Sequence, residues 1–209
     1  MKRKLSAYCG AVILILGLVG FAHALPYEFD MGKSWVDISG TSDVLQMYAE
    51  VNPNLQNVTF TLSAGQSSGD IFFATFGTTE TWINDDDVIP GNVRAYVDFD
   101  DPNLTQAVGG TSVGFAGSFE YTQGWSLIWN NDPVFVDFGD GGRFSIALSD
   151  VGYQSWWWQG PDGKADVYAR ITLISEPGSG QSVPDASIML LLGPSLIVLG
   201  LFSRREFKQ

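Results

Sequence analysis

The chain has 209 residues, of which 45% are hydrophobic and only 16% charged, with a formal net charge of −12. This is too apolar for a disordered chain, and the excess of acid argues against a nucleic-acid partner, which needs a basic footprint. Cys9 and His23 are the only cysteine and histidine. Both precede residue 25, so a body that starts there has no disulfide, no Cys/His zinc site and no Cys or His nucleophile–base pair.

The first 24 residues read as a signal peptide. Lys2, Arg3 and Lys4 are a basic start, Ala11 to Phe21 is an 11-residue apolar run, and Ala22-His23-Ala24 is the small-x-small pattern that signal peptidase cuts. The run is too short for a comfortable membrane span. Cleavage is expected at Ala24–Leu25, and Cys9 lies on the wrong side of the apolar run for a lipoprotein cysteine.

From residue 25 to 176 the pattern alternates with a period of two, which puts one face on a core and the other toward water. The alternating sets are Leu45, Met47, Ala49, Val51; Val58, Phe60, Leu62; Val93, Ala95, Val97, Phe99; Phe144, Ile146, Leu148; and Val167, Ala169, Ile171, Leu173. Shorter strands are expected over Asp70–Phe76, Ser112–Tyr121, Trp125–Trp129 and Val134–Phe138. Gly, Asn, Asp and Pro clusters separate them, and no segment carries a helical stripe. The fold class expected is all-β, an antiparallel β-sandwich of jelly-roll-like layout.

Candidate chemistry is sparse. Residues 25 to 183 hold five basic residues against 21 acids, so their net charge is −16. The acids cluster as Asp85-Asp86-Asp87, as Asp98, Asp100 and Asp101, and as Asp132, Asp137 and Asp140. Asp-rich loops suit calcium, which takes six to eight oxygens, and Asp85, Asp87, Asp98 and Asp100 are the candidate ligands if loops at one end pool. No cluster has EF-hand spacing, and solvated turn acids are the preferred reading. Glu50, Glu80 and Glu120 are acids in or beside strands. Paired carboxylates are all a glycosidase needs, so acids alone discriminate nothing. Trp156-Trp157-Trp158 is the most unusual string. As a strand it would put Trp156 and Trp158 on one face and Trp157 on the other, so at least one indole is expected outside, where aromatics stack on sugars. The competing reading has all three fill the sandwich core or a sheet edge under a loop.

A Gly/Ser/Pro-rich linker over residues 177–183 leads to Val183-Pro184-Asp185, an apolar run from Ile188 to Phe202, and the basic residues Arg204, Arg205 and Lys208. Fifteen helical residues span about 22 Å, a minimal transmembrane helix against a hydrocarbon core of about 30 Å. The basic end would stay cytoplasmic. This arrangement of Pro-acid motif, short apolar helix and terminal arginines resembles the PEP-CTERM class of sorting signals. The stretch VPDASIMLLLGPSLIVLGLFSRREFKQ is similar to its VPD variant, with Pro184-Asp185 standing where Pro-Glu-Pro is usual and Pro194 within the apolar run. The resemblance covers residues 183–209. It implies processing by an exosortase in a Gram-negative bacterium that makes exopolysaccharide, with transient retention at the inner membrane followed by cleavage near Pro184-Asp185.

The expected organisation is therefore a signal peptide (1–24), a β-sandwich ectodomain (25–176), a linker (177–183) and a sorting signal with its transmembrane helix (184–209). The expected function is that of an exported, non-enzymatic envelope or extracellular-matrix protein with a structural or adhesive body. A carbohydrate-binding module of the exopolysaccharide matrix is the alternative, and a weak glycoside hydrolase stands behind both. Expected partners are signal peptidase, the exosortase, the inner membrane and exopolysaccharide. No cofactor is called for beyond the candidate calcium.

Overall fold

A computed structural model describes residues 26–39, 44–117, 122–130 and 132–178. These form twelve strands and two single turns of 3₁₀-helix, with no α-helix among the described residues. None of the described helices is long and apolar enough to cross a membrane. The signal peptide with Ala22 and Ala24, the sorting motif Val183-Pro184-Asp185, Arg204, Arg205 and Glu120 lie outside the described residues.

Two antiparallel sheets face each other. The larger holds β1 (Tyr27–Met31), β2 (Trp35–Ser39), β4 (Thr59–Leu62), β6 (Gly91–Asp101), β7 (Leu104–Gly117), β8 (Thr122–Trp129) and β11 (Val151–Trp156), in the order β11-β8-β7-β6-β1-β4. β1 and β2 take turns on one edge of β6: Met31 is level with Phe99, and Trp35 with Tyr96. The smaller sheet runs β3-β5-β12-β10-β9, where β3 is Met47–Val51, β5 Ile71–Thr78, β9 Val134–Phe138, β10 Gly142–Leu148 and β12 Ala165–Ser175.

The alternating residues read from sequence meet between the sheets. Val93, Ala95, Val97 and Phe99 of β6 are buried, as are Phe144, Ile146 and Leu148 of β10 and Val167, Ala169, Ile171 and Leu173 of β12. Aromatic rings lock the two layers. Phe144 packs edge-on against Phe29 and Phe99, each at 5.3 Å, and Phe76 meets Trp129 at 5.9 Å. Such pairs add about 0.5–1.5 kcal/mol each beyond their buried area.

Three features differ from the expectation. β1 and β2 form strands where no clear alternation was read. β7 begins at Leu104 rather than Ser112, directly after the Asp101-Pro102-Asn103 turn, and pairs with β6 from Phe99↔Leu104 to Gly91↔Ser112. Within this added stretch Gly110 serves packing. It lies opposite Trp129, and a Cβ there would come within 2.8 Å of the indole. The third difference is at Trp156, where β11 ends and the chain turns through a 3₁₀ turn over Trp157–Gln159.

Candidate functional site: a clamped tryptophan patch

Two loops leave one end of the sandwich together. One joins β5 to β6 over residues 79–90, and the other joins β11 to β12 over residues 157–164. Their strands are neighbours, with Ala165 level with Phe76.

The first residue to place is Gln123. On β8 the core-facing positions run Gln123, Trp125, Leu127, Trp129, so period two carries a polar side chain inward. Gln123 is 2% exposed. Burying an amide without partners is costly, and here each end has one. Its Oε1 accepts the Ile83 backbone N–H at 3.1 Å, and its Nε2 donates to the Trp157 carbonyl at 2.6 Å. One side chain thus ties both loops to the sheet.

The second loop is seated by further bonds. The Ser155 hydroxyl donates to the Gly160 carbonyl, and the Trp125 indole N–H donates to the Gly163 carbonyl at 3.2 Å. Gly160 has a φ of 77°, which favours glycine. Gly163 lies against the Tyr153 ring so closely that no side chain would fit. On the first loop, the Asp87 carboxylate accepts the Asn84 N–H at 2.9 Å, and the Asp87 carbonyl accepts Gly114 N–H at 2.8 Å.

This scaffold presents four indoles. Trp82 on the first loop is 50% exposed, and Trp156, Trp157 and Trp158 are 49%, 45% and 67% exposed. Trp82 and Trp157 meet across the loops at 5.4 Å and 55°, while Trp156 and Trp158 stack at 5.2 Å and 8°. At least one exposed indole was expected, and three are found; the reading that buries all three in the core is overturned. The strand geometry behind the expectation is also corrected. Trp158 shares a side with Trp156 because a 3₁₀ turn folds it back, not because a strand continues. Comparison with family models, curated proteins and solved structures finds no match.

The candidate calcium ligands do not converge. Asp85 and Asp87 precede the first residue of β6, whereas Asp98 and Asp100 lie at its far end. Seven residues from Gly91 to Asp98 span about 23 Å. Asp87 is occupied in its own turn, and Asp98 Oδ1 accepts the Thr105 hydroxyl at 2.5 Å. At that far end, Asp101 and Asp137 line one open cleft of about 470 Å³, so the second and third acid clusters do approach each other. Among the described residues no three acids are placed to hold a metal ion.

Of the acids weighed for catalysis, Glu50 forms an ion pair with Lys164 at 3.1 Å. Glu80 sits on the first tryptophan-bearing loop. Burial holds its carboxyl above the ordinary value, the nearby Asp87 and Asp86 charges push the same way, and a backbone bond from Gln46 opposes them. Sequence reasoning missed Trp82 and Gln123 as members of the site. The sign available for Gln123 was a lone polar residue in the core series of β8.

Proposed function

We propose that the chain is an exported protein, sorted by an exosortase, whose body is a non-enzymatic adhesive module of the extracellular polysaccharide matrix and contacts carbohydrate through its tryptophan patch. The observation that carries the adhesive reading is the set of four exposed indoles, three on two loops tied by one buried glutamine and the fourth, Trp156, at the end of β11. Soluble proteins hide most of their indole surface, and a held group of outward aromatics marks a binding surface. A sugar ring has one apolar face that stacks on an indole. Fixing the loops in advance reduces the ordering cost of binding.

Localisation rests on the two ends: signal peptidase would act after Ala24, and the tail would hold the precursor in the inner membrane until cleavage near Pro184-Asp185. We read the sandwich as jelly-roll-like because the chain passes repeatedly from one sheet to the other between β2 and β6 and again between β10 and β12. The same patch equally serves a dedicated carbohydrate-binding module, and the two readings differ in partner breadth rather than in surface.

The test is retention on insoluble polysaccharide prepared from a producing bacterium. The native chain is expected to be retained and the Trp157→Ala/Trp158→Ala variant to wash through, with unchanged thermal unfolding. Equal retention of the two would remove the patch from the account.

A further inference from the structure

The first of the two loops that carry the indoles has a one-sided charge. Residues 79–90 contain Glu80, Asp85, Asp86 and Asp87 and no lysine or arginine, while residues 157–164 contain Asp162 and one cation, Lys164. Asp85, Asp86 and Asp162 are exposed. Asp162 is adjacent to Gly160, at the point where the second loop comes up to the Thr81 carbonyl of the first. Lys164, the last residue of the second loop, is engaged with Glu50 and lies over the Tyr48 ring at 5.4 Å. Trp82 and Trp157 close the gap between the loops, and Trp156 and Trp158 form a flat stacked pair.

We infer that this surface takes a polysaccharide bearing protonated amino groups, a de-N-acetylated amino-sugar polymer, in preference to a neutral or an acidic one. The inference rests on the carbohydrate reading above and adds the ligand's charge. Three physical terms agree. Indole faces attract cations through the ring quadrupole, tryptophan most strongly. Ammonium groups that come to rest beside the ring meet carboxylates, and the one cation of the two loops, Lys164, is already paired with Glu50. An acidic polymer would meet the field of a body with a net charge of −16. A pyranose ring also offers a flat apolar face to the Trp156–Trp158 pair, which a flexible basic peptide does not.

The experiment measures binding of the full chain, held in mild non-ionic detergent, to four probes by calorimetry at low and high salt. The probes are a glucosamine hexamer, the matched N-acetylglucosamine hexamer, a galacturonate hexamer with and without millimolar calcium, and a lysine hexamer. The glucosamine hexamer is expected to bind at least about tenfold more tightly than its N-acetylated counterpart. That preference should shrink with salt and fall in an Asp85→Asn/Asp86→Asn variant, while Trp158→Ala weakens both sugars. Both variants alter exposed side chains, and their melting temperatures confirm the fold. Equal binding of the two amino-sugar hexamers would overturn the charge inference and leave the carbohydrate reading standing. Preference for galacturonate, with or without calcium, would overturn it too. Lysine hexamer binding that matches glucosamine and survives Trp158→Ala would show plain electrostatics and overturn it. No binding to any sugar would defeat the carbohydrate reading itself.

Discussion

Gln123 holds two backbone groups of different loops at once, and neither bond can be replaced by water at a position this buried. Gln123→Leu keeps the bulk but removes both bonds, so the Ile83 N–H loses its acceptor and the 157–164 loop loses a tie. The expected cost is about 1–3 kcal/mol in urea unfolding, together with a shift in tryptophan emission as Trp82 and Trp157 separate. Unchanged stability and emission would show that Gln123 is not the clamp. Glu80 gives a second prediction at this scale. Its carboxyl is raised by burial, then by Asp87 and Asp86. A carboxyl raised in the fold lowers stability by an amount that is absent below the ordinary glutamate value, grows as pH rises from there to the folded value, and is complete above it. Glu80→Gln should therefore raise the melting temperature at about pH 8 and lose that advantage at about pH 3. An equal gain at both pH values would mean that the charge is not the cause. Single residues were the least legible part of the sequence. Gln123 stood out only as a polar member of an apolar series, and nothing local names Ile83 and Trp157 as its partners.

Strands were easier to read than their ends. The long alternating series of β6, β10 and β12 each specify one buried face, and the structure buries the residues that the period selects. Their junction is the ring cluster around Phe144, which touches Phe29, Phe99 and Phe138. Phe144→Ala should cost about 3–5 kcal/mol in equilibrium unfolding; a loss below about 1 kcal/mol would mean that the cluster can collapse around the gap. The β7 start was hidden because glycine is a turn residue in most sequences, and the reason for Gly110 is an indole 19 residues later, on the neighbouring strand β8. The Trp156–Trp158 string misled in the opposite sense. Three aromatics have strand propensity, but Gly160 and the Gly163 seat against Tyr153 bend the chain back, and tertiary closure overrides the local preference.

For the whole molecule, composition and period two were sufficient to read an all-β body with two facing sheets, because burying one face of each sheet has few solutions. The patch was half legible: its tryptophans are visible in the sequence, but the meeting of Trp82 with Trp157 depends on two loops far apart along the chain. In the function proposed above, the ends matter as much as the body. The sequence from Ile188 to Phe202 is apolar but short against a hydrocarbon core of about 30 Å, and Arg204 and Arg205 follow it. We propose on that ground that the tail holds the precursor at the membrane and is then cut away.

The most direct measurement follows the mass and location of a body-tagged chain in a host with its exosortase and in the same host without it. The account predicts a mature form that lacks both the first 24 residues and the apolar tail, found outside the membrane fraction only when the exosortase is present. Full-length or tail-bearing protein persisting in membranes in both hosts would contradict it.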